Sequence, residues 1–243
     1  MTQHTLQGRT EKEVTWHQRR DVIKAASAWV MMGGLPAAIA QQRSNVVQLT
    51  GDALLNGNRM LPDQSVQTGD QLQTGPGSSM VFTMGNASFL VRQNTMMAVE
   101  RGATINAVSL LRLVTGAVAS VWNKGGSRSI VTPTLTAGIR GTGVYTEVMP
   151  TEDNRSYFCN CYGTVELNSG GAQKVSEAQY HQAFWSQTQG ALLTPAAAIN
   201  HSDEELEMLA RLIDQRTAWQ IAGRKGVKDG KGQMTTPPYN SGG

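Results

Sequence analysis

The chain has 243 residues, of which 16% are charged, 40% hydrophobic and 6% aromatic, with 26 glycines and a net charge of +3. A charged fraction below the ~25% of ordinary soluble domains, together with abundant glycine, disfavours helical bundles, coiled coils and charge-rich disorder. Residues 1–40 hold five basic and three acidic residues, leaving a body with 16 basic against 15 acidic. That near-neutral body has no electrostatic footprint for nucleic acid.

The first forty residues read as an address. Arg19-Arg20 is followed by Asp21-Val22-Ile23-Lys24, then by sixteen uncharged residues ending Ala38-Ile39-Ala40. A charged start, a moderately apolar run and an Ala-x-Ala end form a secretory signal, and the paired arginines resemble a twin-arginine export signal. The expectation is a periplasmic protein, cleaved near Ala40, with no stable membrane span afterwards. The apolar run is too short to be a convincing span.

From Val46 to about Lys174, short apolar or alternating runs are punctuated by glycine. Val46–Thr50, Leu54-Leu55, Ser79–Met84, Phe89–Arg92, Val108–Val114, Ala117–Trp122, Gly143–Val148, Ser156–Tyr162 and Thr164–Leu167 read as strands. Asn56-Gly57 and Gly85-Asn86 carry hairpin chemistry. Thr115-Gly116 reads as a break between two strands. Strands this short at this spacing indicate a sandwich or a short β-solenoid. Ser202-Asp203-Glu204-Glu205 is a capping box, and Leu206, Leu209 and Ile213 follow at helical spacing. The residues from Gly223 onward are rich in Gly, Lys, Pro and Ser and read as disordered. The resulting division is a signal over 1–40, a β domain over 41–200, a C-terminal helix over 201–221 and a tail over 222–243.

Catalytic signatures are missing: the sequence has no phosphate loop, no His-Glu-x-x-His and no Gly-x-Ser-x-Gly elbow. No catalytic residue is nominated. Beyond residue 40 there remain two cysteines, Cys159 and Cys161, and two histidines, His181 and His201. On a strand, positions i and i+2 face the same way, so the two thiols face together. Three readings of the pair stand open: a strained disulfide, thiolate ligands with His181 and His201 for zinc, copper or iron, or two small core residues. His201 sits just before a helix cap and is expected mainly to dress that terminus. Arg140, between glycines, reads as an anion site or as a clamp on neighbouring carbonyls.

Three stretches resemble the FecR domain family: Thr68-Gly69-Asp70-Gln71-Leu72-Gln73-Thr74-Gly75, Val131-Thr132-Pro133, and Thr136 to Tyr145 with its turn Gly138-Ile139-Arg140-Gly141-Thr142. Gly163-Thr164-Val165-Glu166 matches the next Gly-x-Val turn of that family. The likeness covers about residues 50–175. It implies an all-β, non-catalytic periplasmic module, which in the best-known members relays an iron-siderophore signal to a cytoplasmic sigma factor. Those members carry a cytoplasmic segment and a spanning helix ahead of the β domain, where this chain has an export signal. The functional expectation is therefore a free-standing binding or signalling module whose partner is an envelope protein. Metal or redox-cofactor binding and an envelope scaffold or polysaccharide-binding role are the alternatives. Oligomeric state is not readable.

Overall fold

The structure, a computed structural model, describes residues 44–61, 63–100, 108–189 and 192–234. The expected export signal, with Arg19, Arg20, Ala38 and Ala40, falls outside the described residues. In chain order the strands are β1 (Val46–Thr50), β2 (Ala53–Leu55), β3 (Asn58–Arg59), β4 (Gln71–Thr74), β5 (Ser79–Met84), β6 (Ala87–Val91), β7 (Met96–Glu100) and β8 (Leu110–Trp122). There follow β9 (Arg128–Val131), β10 (Thr136–Ile139), β11 (Gly143–Met149), β12 (Arg155–Ser169), β13 (Ala172–Ala178), β14 (Tyr180–Ser186) and β15 (Leu193–Ala196). Helices α1 (Asp203–Arg211) and α2 (Ala218–Ala222) and the short β16 (Lys231–Gly232) complete the described chain. The architecture is all-β with a small helical cap, as the composition requires.

The strands form two layers that share their longest members. One sheet runs β1-β5-β6-β8-β11-β12-β14, with β15 and β16 both on β14. The other runs β3-β2-β4-β7-β8-β9-β10-β12-β13. Every pairing is antiparallel except β8 with β9. Two glycines expected to separate strands instead lie within them. Gly116 (φ +76°) bends β8, and Gly163 (φ +96°) bends β12, each where the strand passes from one sheet to the other. A Cβ on Gly116 would stand 2.5 Å from the Thr95 Cα, and one on Gly163 would stand 2.8 Å from the Thr142 Cβ. Only glycine meets both demands, the positive φ and the close approach. Asn56-Gly57 does form the hairpin between β2 and β3, with both residues at positive φ.

Period-2 alternation sorts the first sheet's side chains into two cores. Met80, Phe82, Phe89, Val118, Val144, Phe158 and Phe184 face the second sheet, where they meet Leu111, Leu113, Ile130, Val165 and Leu167. Their sequence neighbours Val81, Leu90, Ala119, Val121, Tyr145, Tyr157, Cys159 and Cys161 face the opposite way, against Leu206, Leu209 and Trp219 of the helical cap. Burial of each large side chain contributes about 1.5–3 kcal/mol, so both faces of this sheet are held by apolar area.

The C-terminal part differs from expectation in two ways. The helix is two helices: α1 opens on the foreseen Ser202/Glu205 capping box, and α2 opens on a second box formed by Thr217 and Gln220. Between them Asp214 takes a positive φ and Gln215 N–H turns back to the Ala210 carbonyl, which ends the first helix. The segment 223–234 is not a loose tail. Its glycines allow it to lie flat on β14, where β16 pairs, and residues 235–243 lie outside the described residues. No helix among the described residues is long and apolar enough to cross a membrane.

Candidate metal centre

Cys159 and Cys161 project from the cap-facing side of β12, with their sulfurs 3.9 Å apart. The intervening Asn160 points to the other face, donating to the carbonyls of Gly163 (2.9 Å) and Ser176 (3.1 Å). His181 comes from β14 at a bulge: its φ is +41°, and the register with β16 slips between Tyr180 and Gln182. A bulge re-aims a side chain out of the alternating pattern, and backbone strain of this kind collects at functional sites. His201 arrives from the segment ahead of the α1 cap.

These four side chains converge. Cys159 Sγ lies 3.6 Å from His181 Nδ1, Cys161 Sγ lies 3.5 Å from His201 Nε2, and the two ring nitrogens are 3.0 Å apart. All four ligand atoms lie within 4.8 Å of one another and all four residues are buried. A tetrahedral zinc ion, with bonds of ~2.3 Å to sulfur and ~2.05 Å to nitrogen, sets edges of about 3.8 Å (S···S), about 3.6 Å (S···N) and about 3.3 Å (N···N). The four separations given above match this figure to within a few tenths of an ångström, and the two remaining sulfur–nitrogen distances lie within 4.8 Å.

The outer contacts fix the imidazoles for the same purpose. His181 Nε2 faces Asp203 Oδ1 at 3.0 Å, and His201 Nδ1 faces the Ile199 carbonyl at 2.6 Å. Both partners only accept, so those nitrogens carry the hydrogens and the lone pairs of His181 Nδ1 and His201 Nε2 turn inward. Two lone pairs at 3.0 Å repel unless a cation sits between them. Trp219 stacks on His181 at 5.3 Å and Tyr145 on His201 at 4.7 Å, holding each ring plane.

Charge follows the same layout. Burial alone would raise the Cys159 thiol, but the hydrogen bond from Cys161 and the two imidazoles beside it outweigh that and hold the thiol well below its usual range. Burial and the adjacent Cys159 thiolate push Cys161 well above. The pair therefore shares one negative charge, and the second thiolate needs a cation beside it. Asp203 accepts from Lys228 (2.8 Å) and His181 on Oδ1 and from Lys225 (2.8 Å) and Tyr180 (2.9 Å) on Oδ2. Burial opposes its charge, but the hydrogen bonds from both lysines and Tyr180 outweigh that and hold the carboxyl well below the usual carboxylate range.

Thus the four nominated donors meet at one point, including His201, expected mainly to dress a helix terminus. Arg140 is elsewhere. Its guanidinium donates to Glu166 Oε1 (2.6 Å) in solvent and ties no carbonyl among the described residues. Its neighbour Thr142 is buried, lies 3.0 Å from Asn160 Oδ1 and bonds the Tyr162 carbonyl, so the Arg-Gly-Thr turn braces the cysteine segment. Sequence reasoning missed Asp203, Trp219, Lys225 and Lys228. Asp203 had a visible signal, an acid two residues beyond a candidate ligand, but it was absorbed into the helix start.

No protein-family model matches the chain, and no curated protein matches it. Among solved structures, two crystal structures of a candidate anti-sigma factor from Parabacteroides distasonis are similar in fold, at 11% and 12% identity with TM-scores of 0.44 and 0.45. Each match covers 58% of this chain, and 64% and 63% of the other, so the chain spans less than two thirds of these solved structures. Likenesses this distant bear on neither activity nor partner.

Proposed function

We propose that this chain is a non-catalytic, metal-centred β module of the cell envelope, in which Cys159, Cys161, His181 and His201 hold one zinc ion. The observation that carries this reading is the convergence of two sulfurs and two inward lone pairs within 4.8 Å of one another, with the two imidazole nitrogens 3.0 Å apart. A four-donor set buried on all sides leaves no open coordination position, which is the mark of a structural ion rather than a catalytic one. Two thiolates and two neutral imidazoles neutralise a divalent ion, and sulfur–nitrogen donors in this geometry favour zinc over the harder cations. The ion ties β12 and β14 to the segment that carries the helical cap.

Elemental analysis of the full chain, purified without a chelating tag, tests the reading. About one zinc per chain is expected, and cobalt(II) substitution is expected to give the intense visible absorption of a tetrahedral thiolate site. Substoichiometric metal that cannot be restored by zinc or cobalt under reducing conditions would refute it. Copper or iron in place of zinc would keep the site and correct the ion.

The twin-arginine-like start and the Arg140-Gly141-Thr142 motif support a periplasmic binding or signalling role with an envelope protein as partner. Crosslinking and pull-down from envelope fractions test that role, and failure to recover any envelope protein counts against it.

A further inference from the structure

The segment Gly223–Met234 is the cover that completes the buried cluster, and it is the most weakly anchored of the elements around it. The two cysteines belong to β12, a fifteen-residue strand paired on both sides over most of its length, with Cys161 at the irregularity opposite β11. α1 is held by Leu206 and Leu209, both fully buried, and by the Arg92–Glu205 pair at 2.8 Å. The final segment has the two-residue β16, a few backbone bonds, two half-exposed lysines and the partly buried Met234. Gln179 N–H donates to the Gly232 carbonyl (2.8 Å), Ala183 N–H to Gly230 (3.1 Å) and Ala198 N–H to Lys228 (3.2 Å). Those bonds bracket His181 on one side and approach His201 on the other. Lys228 also donates to the His201 carbonyl at 3.4 Å, and with Lys225 it grips Asp203, the carboxylate behind His181.

We propose that this segment is a strap that gates exchange of the ion: the metal enters and leaves by release of the strap, not by opening of the sheets. The inference rests on the metal reading above and adds the route and its lock. Elements with few buried apolar contacts and short hydrogen-bonded runs open first. Val227 is 60% exposed and Met234 packs only partly buried against the cap-side core, so less apolar area resists the opening here than at α1. Seating depends on small residues. A Cβ on Gly230, at φ +79°, would fall 1.6 Å from the Ala196 carbonyl oxygen, so any side chain there lifts the strap. Opening frees Lys225 and Lys228 from Asp203 and uncovers His181, the ligand on the strained bulge.

Transfer of cobalt(II) or zinc from the loaded full chain to excess EDTA, followed over time, tests the strap. Lys225→Ala combined with Lys228→Ala, and separately Gly230→Val, are expected to release the ion about tenfold faster, equivalent to about 1.4 kcal/mol off the barrier. Their cobalt spectra are expected to match the parent, since all four ligands remain. Val66→Ala, in the core between the sheets and away from the strap, is expected to release at the parental rate. If Gly230→Val does not fold, the double lysine variant decides alone. Strap variants that release at the parental rate, or a Val66→Ala chain that releases as fast as they do, overturn the strap. A parent chain that takes up no ion overturns the metal reading itself, and with it this inference.

Discussion

Replacing Asp203 with asparagine keeps the shape of the side chain and removes its charge. In the parent each carboxylate oxygen meets two donors: His181 Nε2 and Lys228 on Oδ1, Tyr180 and Lys225 on Oδ2. An amide offers one oxygen, so its nitrogen must face one of these donor pairs, whichever way the group is turned. Either His181 loses the partner that fixes its tautomer, or Tyr180 and Lys225 lose theirs. Loss of an outer-sphere carboxylate from a metal-bound histidine typically costs 10–100-fold in affinity, or about 1.4–2.7 kcal/mol. The metal-free chain is expected to lose about 1–3 kcal/mol besides, because the carboxylate is buried while both lysines remain partly in water. Competition against a chromophoric chelator measures the first quantity, and urea unfolding of the metal-free protein the second. An Asp203→Asn chain with both values equal to the parent's would refute the assignment of Asp203 as the residue positioning His181.

Three further outcomes follow from the same geometry. Gly163→Val is expected to cost about 3 kcal/mol or more, combining a positive φ with a clash against the Thr142 turn, and thermal unfolding of the metal-free chain reads it. Arg140→Ala is expected to shift stability by less than about 0.5 kcal/mol and to leave metal uptake unchanged, since its pair with Glu166 is solvent-exposed. A loss of metal from Arg140→Ala would show that the turn depends on the guanidinium and not on Thr142. Acid weakens the metal-free chain through Asp203. Its pKa is depressed in the folded state, so its contribution is complete above the unfolded carboxylate value near ~3.9 and drains away as pH falls below it. Stability measured against pH is expected to fall more steeply below about pH 4 in the parent than in Asp203→Asn.

Much of the fold was legible because alternation and turn chemistry are local. The hairpins at Asn56-Gly57 and Gly85-Asn86, the facing of Cys159 with Cys161 and the Ser202 capping box each depend on residues a few positions apart. The continuity of β8 and β12 was not legible. A glycine that bends a strand between two sheets and a glycine that ends a strand look alike until the second sheet is in view. His181 was nominated as a donor, but its direction was not legible for a related reason: it is set by a bulge against β16, fifty residues further on. The lysines of the strap read as a solvated tail, because their partner Asp203 was already explained as a helix-terminal acid. Pairings over long sequence distance leave no periodic trace, and the candidate site is built almost wholly from them.

The shared strands also bear on how the protein comes apart. β8 and β12 each contribute one half to either sheet, so neither sheet can be peeled away without breaking a strand that anchors the other. The two layers thus melt as one cooperative unit, and denaturation followed through tryptophan in the cap or through backbone signal from the far sheet is expected to trace a single curve. The same arrangement makes assembly slow relative to a helical protein of this length, because both crossing strands must find partners distant in sequence before either layer gains stability.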